Sequence, residues 1–591
     1  MINSGNINAS GNITAKNLRN SLATVLSGGN FNVKNLDNSG NIQVSGITDI
    51  NGKFDNTGAL ISVKRISVLG NVSSAGNILT NEDLTAKNTV TSGAIVAKNL
   101  RVDNLANDGK ISTNGELTAK DVKNTGEILS SGKILGNSFV TSGKVQTNEA
   151  LDINGFLDNS GTVGASKDIS VAGNVLNSGE ILTNGDFTSK NMDTSGTVVS
   201  NNLRTGNLQN DGKIIANGDL KAKKVKNTKD ITAVGTVSSD DLVTSGNVRA
   251  NGKITVSGKL ENSGAVETSK NISVAGNIKN DGRIVANDDL AGKNTENNGN
   301  IYVKNLEVNN LKNTGKVEGV NLKTDDIANS GDIMAIGKIS SGNIDNSGKL
   351  LANDIISAKN IKNATSSSKI AAGKGVTGER VENSGTFATN GDIKATSSLV
   401  NSGIVDGKGI DIAGADFVNS GKINADNIKA NVVNTRNDGF IYSGNDVDLT
   451  TGTLINTKEI TAVNNVNAAN ANVTNSGKIA SNNRVLLDNS AITNTGEILS
   501  GEIFMRNAQK FNNTGTVRGN NVELGVNQNI NLTGNLHGQH RLKISANNIT
   551  NNGNTTGTGL IEINSNDFTN NRELASDTVV VNGRGEVVNN S

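Results

Sequence analysis

A short unit recurs inside a longer one. Asn-Ser/Thr/Asp-Gly followed by alternating apolar residues returns every 16 to 18 residues, and six such units form a block that returns every 103. The punctuating glycines Gly40, Gly58, Gly76, Gly93, Gly109 and Gly126 reappear one block later as Gly143, Gly161, Gly179, Gly196 and Gly212, with Lys229 the one substitution. A second block gives Gly246, Gly264, Gly282, Gly299 and Gly315, after which one residue is lost and Gly331 follows. A unit this short cannot bury its apolar face alone, so the chain has to stack each copy on the next.

The unit from Gly212 to Thr228 shows how. Ile214 and Ala216 alternate with Lys213 and Ile215, Leu220 and Ala222 with Asp219 and Lys221, and Val225 sits between Lys224 and Lys226. Three runs with a period of two are half-buried strands. Asn217-Gly218 and Asn227-Thr228 separate them, and both Gly and Asn suit turns because they tolerate positive φ. An α-helix is excluded by the frequency of Gly and Asn and by the apolar spacing. Strands that pair with their counterparts one coil along make an all-β parallel β-helix, right-handed by analogy, of roughly 16–20 residues per coil. Inward Ile, Leu and Val would form columns, and turn asparagines would stack as amide ladders. About 34 coils at roughly 4.8 Å per strand spacing would span about 160 Å. The absence of proline fits, because Pro cannot donate to a coil-to-coil ladder.

Composition narrows the function classes. Residues of the apolar class make up 34% and aromatics only 2%, but the 68 glycines bring the total to roughly the 45–50% of a folded chain. Lys and Arg number 56 against 55 acids, and no block of like charge stands out, so neither a nucleic-acid footprint nor a polybasic membrane patch is expected. There is no cysteine, which excludes disulfides and thiolate metal sites. No apolar run approaches the roughly 20 residues that span a bilayer, and Met1-Ile2-Asn3-Ser4-Gly5 enters the repeat with no export signal before it.

Regular coils are expected over 3–348 and a continuation over 349–515 that contains an irregular segment at 364–385. A divergent β-rich segment is expected over 516–591, where Ile561-Glu562-Ile563 and Val579-Val580-Val581 still alternate as strands. Both ends stop within the pattern, which is expected of a piece of a longer protein.

Units such as N-S-G-E-I-L-T-N-G-D-F-T-S-K-N at 177–191 and N-D-G-K-I-I-A-N-G-D-L-K-A-K at 210–223 resemble the filamentous-haemagglutinin repeats of two-partner-secretion exoproteins, over about residues 3–515. The resemblance implies a right-handed β-helix, exported through an outer-membrane partner, on the surface of a Gram-negative bacterium or secreted from it. It implies a non-enzymatic shaft of an adhesin that meets a host-cell or bacterial surface receptor or glycan. The shaft of a contact-dependent growth-inhibition protein, without its toxin, is the alternative. The N-terminal secretion domain of that family carries proline-containing motifs, which a chain without proline lacks.

Candidate chemistry is sparse, and no cofactor, metal or catalytic residue is assigned. Gly373-Lys374-Gly375-Val376-Thr377-Gly378 matches G-x-G-x-x-G, but a dinucleotide site needs a strand before it and a helix after it. His537 and His540 form H-x-x-H without further ligands in sequence, and are expected as solvent-exposed turn residues. A carbohydrate-active β-helix enzyme would need clustered acids, whereas Glu127, Glu180 and Asp219 occupy repeat positions and read as solvated faces. Sequons such as Asn12-Ile13-Thr14 arise easily in this composition. Strict repeat reads as spacer, so specific contacts are expected near 364–385 or beyond 516.

Overall fold

The computed structural model describes Met1–Ser591, mostly strand joined by short turns and bends, with no helix. Two compact units, Met1–Lys293 and Asn294–Ser591, divide the chain, and each is a parallel β-solenoid. One coil illustrates both. Lys213–Ala216 forms the first strand and Leu220–Asn227 the second. Within the second, Leu220 and Ala222 point inward, Lys223 and Lys224 both point outward, and Val225 and Asn227 point inward again. Two outward residues in succession turn the strand through a corner, so the coil has three faces.

Register is strictly parallel. Lys213 lies over Asp230 and Val225 over Leu242 in the following coil, and Leu203 lies under Leu220 in the preceding one. The offset is 17 residues here, 18 between Ala59 and Asn77, 16 between Ala94 and Lys110, and 19 between Glu459 and Lys478. Inward side chains stack as columns. Ile181, Val198, Ile214, Ile231 and Val248 succeed one another, all at 1% exposure or less. Every one of these backbone N–H groups bonds to a neighbouring coil, the physical reason proline has no place.

The turn glycines are needed for room rather than for φ. Among the glycines only Gly375 and Gly414 have positive φ, at 145° and 112°. At Gly58, Gly76, Gly179 and Gly421 a Cβ would collide with the carbonyl oxygen of the glycine one coil earlier. Lys229 and Lys458 take this place in two coils, and the ladder yields slightly. Asp230 N to Gly212 O is 3.2 Å and Glu459 N to Gly439 O is 3.1 Å, against 2.8 Å for Glu127 N to Gly109 O.

Of the two kinds of turn asparagine in each coil, one builds a buried ladder. Asn227 is 1% exposed, whereas Asn217 faces solvent. In the second unit the ladder runs unbroken from Asn297 to Asn513. Each Nδ2 donates to the Oδ1 one coil on, through twelve bonds of 2.7–2.9 Å. The second Nδ2 hydrogen serves backbone carbonyls, as at Asn401 with Gly403 O (3.1 Å) and Lys422 O (3.2 Å). Buried Leu532 ends the run, and Asn551, Asn570 and Asn589 resume it.

In the first unit the ladder comes in short pieces. Asn3, Asn20, Asn38 and Asn56 pass the bond along to Ser74 Oγ, and Asn159–Asn177 ends on Thr194. Thr91, the rung between Ser74 and Asn107, has a buried Oγ1 with no partner.

The segment 364–385 is less disruptive than its sequence. Only Ala364–Ser368 departs from the coil, forming a small loop closed by Ser368 Oγ to Thr365 O at 2.6 Å. Lys369–Ala372 and Gly375–Asn383 are ordinary strands, and Asn363 bridges to Asn383 at 2.8 Å across the loop. Coil pairing also continues across 348/349, with Asp332 over Lys349, and across 515/516, with Glu497 over Thr516.

Asn401→Leu removes one rung and leaves one Nδ2 hydrogen of Asn383 and the Oδ1 of Asn419 without their ladder partner. A loss of about 1–3 kcal/mol is expected, read as faster amide hydrogen exchange confined to the coils around 383–419. Thr91→Asn should do the reverse, slowing exchange at 74–107 by joining Ser74 to Asn107.

Candidate functional site

The residues singled out by motif do not converge. Gly373 and Lys374 form a turn, and Gly375 opens the strand Gly375–Asn383. Lys374 pairs with Asp354 at 3.4 Å. No helix N-terminus follows, so the glycines form no phosphate cradle. His537 and His540 lie in the strand Asn535–Ser545 rather than in a turn. His537 is half-buried, its Nδ1 2.9 Å from Thr556 Oγ1, while His540 is exposed. Burial, helped by the charge of Arg518, pushes His537 below the ordinary imidazole value. No group of three or more His, Asp or Glu side chains is arranged around a common point that could hold a metal ion.

The acids at repeat positions are partners in cross-coil charge columns. Lys110, Glu127 and Lys144 stand in register on three successive coils. Glu127 accepts from Lys110 at 3.2 Å and Lys144 at 3.4 Å. The hydrogen bond from Lys110 is the main cause that holds its carboxyl below the usual glutamate value. Asp219 instead accepts the backbone N–H of Thr236 at 2.7 Å, and Glu180 faces solvent. These roles are structural, and exposed pairs of this kind contribute at most about 1 kcal/mol each.

A groove that sequence inspection passed over lies in the first unit. Its wall is the corner column Asn174, Asn191, Asn207, Lys224, Asp241 and Lys259, one residue from each of six consecutive coils, and it encloses about 660 Å³. Asn191 donates to Asn174 Oδ1 at 3.0 Å and accepts Asn207 N–H at 2.9 Å. Lys259 N–H donates to Asp241 Oδ1 at 3.2 Å, and its ammonium pairs with Glu261 at 2.7 Å. Asp193, Gln209, Lys226 and Val243 form the second wall.

One block earlier, a second groove of about 320 Å³ is lined by Asn88, Asn104, Asp121 and Ser138, with Val90, Ala106, Lys123 and Val140 opposite. Each of these lies 103 residues before its counterpart. The two asparagines, Lys123 and Val140 keep their identity in the later copy, whereas Asp121 gives way to Lys224, Ala106 to Gln209, Ser138 to Asp241 and Val90 to Asp193. The groove therefore lies inside the strict repeat, not where the repeat breaks.

Charge is also less even than the chain's balance implies. Lys221, Lys223, Lys224, Lys226 and Lys229 crowd one coil, all exposed. The coils on either side pair Arg204 with Asp186 and Arg249 with Glu267, and none of these five lysines takes part in an ion pair. The run K-A-K-K-V-K-N-T-K was the sequence signal for this patch, diluted by balancing acids elsewhere.

No protein-family model, no curated protein and no solved structure matches this chain. No helix of the chain is long and apolar enough to cross a membrane.

Because the Glu127 carboxyl is depressed in the native state, its contribution is present above the unfolded value of 4.5 and lost as pH falls through the native one. Titration followed by carboxyl-resolved NMR should place Glu127 below an ordinary glutamate, and Lys110→Met should move the midpoint upward.

Proposed function

We propose that this chain is a non-enzymatic shaft segment of a secreted or surface-exposed, haemagglutinin-like exoprotein of a Gram-negative bacterium. The observation that carries the reading is the coil-on-coil register within each unit, in which every added coil repeats the same contacts. Such a fold gains length by duplication without disturbing its neighbours, because stability is close to a sum over adjacent coils. The 103-residue block is a module of this kind. The resemblance of units such as 177–191 to haemagglutinin repeats supports export and surface display, with an outer-membrane partner for the full-length protein. An attachment role follows from a long repetitive surface, where many weak contacts add through effective concentration.

The non-enzymatic reading is supported by two repeat-position acids with structural partners, Glu127 in a charge column and Asp219 on a backbone N–H. Incubation with polysaccharides should yield no new reducing or unsaturated ends, and their appearance would overturn the non-enzymatic reading.

A block deletion tests the shaft directly. Removing 144–246 takes out one period and brings Asn247 to the place of Lys144, its counterpart 103 residues earlier. Expressed in the full-length protein, the shortened chain should fold, reach the surface and support attachment to host or bacterial cells as the parent does. A failure to fold, or loss of surface display, would contradict the modular shaft.

A further inference from the structure

We propose that the groove along Asn174, Asn191, Asn207, Lys224, Asp241 and Lys259 is a binding site for an acidic polysaccharide in which uronate and neutral sugars alternate. The inference stands independently of export or of any attachment role.

Three observations select the ligand. The first is direction. The groove crosses six coils along the solenoid axis, over roughly 24 Å at about 4.8 Å per coil. Its floor is the face of a sheet whose N–H and C=O groups already bond to neighbouring coils, so a peptide cannot dock there by strand addition. A polymer that lies along it must be read by side chains alone.

The second is the lining. The corner column begins with three stacked amides, Asn174, Asn191 and Asn207, and Gln209 faces them. Side-chain amides offer a donor and an acceptor together, which suits ring hydroxyls. No aromatic ring lines the groove, and binding of single-stranded nucleic acid relies on such rings to stack bases. One pyranose of an extended chain advances about 5 Å, close to one coil spacing. Successive sugars therefore meet equivalent positions on successive coils.

The third is the charge pattern. Lys224, Asp241 and Lys259 follow one another down the column, so two cations stand two coils apart with an acceptor between them, Lys224 unpaired and Lys259 shared with Glu261 at 2.7 Å. A disaccharide repeat with one carboxylate spans two coils. Its carboxylates would face Lys224 and Lys259, and the hydroxyl or amide N–H of the neutral sugar would face Asp241. Lys226, and Lys221 and Lys223 on the same coil, add unpaired positive charge at this point. A densely sulfated chain would set its negative groups against Asp193 and Asp241, an unfavourable juxtaposition.

The earlier copy of the groove is a built-in control. It keeps the amides Asn88 and Asn104, joined at 2.6 Å, but has Asp121 where the later copy has Lys224, and Asp121 accepts a hydrogen bond from Ser138.

The full chain is titrated calorimetrically with a hyaluronan octasaccharide, a neutral chitin hexasaccharide and a heparin octasaccharide. Hyaluronan should bind and the neutral oligomer should bind at least about tenfold more weakly. Lys224→Gln with Lys259→Gln should weaken hyaluronan binding about tenfold or more, while Lys123→Gln at the earlier groove, combined with Lys120→Gln on the same strand, should change it less than about twofold. Circular dichroism and thermal unfolding verify that both double variants keep the parent fold. Should either pair unfold the chain, Lys224→Gln alone, which removes one unpaired cation from the groove, should still weaken hyaluronan binding about threefold or more. Absence of hyaluronan binding, equal losses from both pairs of variants, or tighter binding of heparin than of hyaluronan would each overturn the proposal.

Discussion

Parallel strands stack at about 4.8 Å, and at the glycine turns that spacing leaves little room for more than a hydrogen. The column of turn glycines follows from this distance, since a Cβ on Gly58 or Gly179 would run into the carbonyl of the preceding coil. Apolar columns follow from it too, because residues in register at such close range must match in shape. Where Lys229 or Lys458 replaces glycine, the fold answers by stretching one hydrogen bond by a few tenths of an ångström. That compliance is local. The matching bonds of the following coils are not stretched, Asn247 N to Lys229 O at 2.7 Å and Lys478 N to Lys458 O at 2.5 Å, as a structure held by nearest-neighbour contacts should show.

The same spacing lets amides speak to each other. Every bond from Asn297 to Asn513 points the same way, from Nδ2 to the Oδ1 of the following coil. Aligned dipoles polarise one another in a buried column, so an unbroken run gains more than isolated pairs. The first unit forgoes this, because a hydroxyl at Thr141, Thr194 or Thr244 accepts from its asparagine but does not hand the bond to another amide. Thr91 adds an unsatisfied buried hydroxyl. Two solenoids of the same design therefore differ in their central hydrogen-bond chain.

Much of this was legible from residues alone. The period, the alternation of Ile214, Ala216, Leu220, Ala222 and Val225, and the ban on proline lead to stacked parallel strands without any structure. The stacking of asparagines was also foreseeable, but not which ones stack. Asn217 and Asn227 both sit beside turns, and only their place relative to the corner decides that one is buried. The role of glycine was misread as a demand for positive φ, because single-chain turn rules ignore the coil above and below. His537 looked like a turn residue because its neighbours Gly534 and Gly538 are turn formers in isolation. Gly538 is buried within a strand instead. The segment 364–385 looked irregular because its Ser-rich loop is conspicuous, yet the register on either side absorbs five residues outside the coil.

Grooves escaped detection for a different reason. They are made by outward residues from four or six coils, each about 17 residues from the next, so no contiguous stretch of sequence contains one. Only the nested period reveals them, by pairing Asn88 with Asn191 and Asn104 with Asn207 across a block. Duplication copies the outer surface as faithfully as the core, but the two are constrained unequally. An inward Ile has to fit the columns of both neighbouring coils, whereas an outward Asp121 can become Lys224 at no cost to packing. A repeated solenoid thus holds its core fixed while its copies of one surface drift apart in charge. The most regular part of the chain is consequently where two versions of a single groove can be compared side by side. The five lysines around the later copy mark the one that has gained the most positive charge.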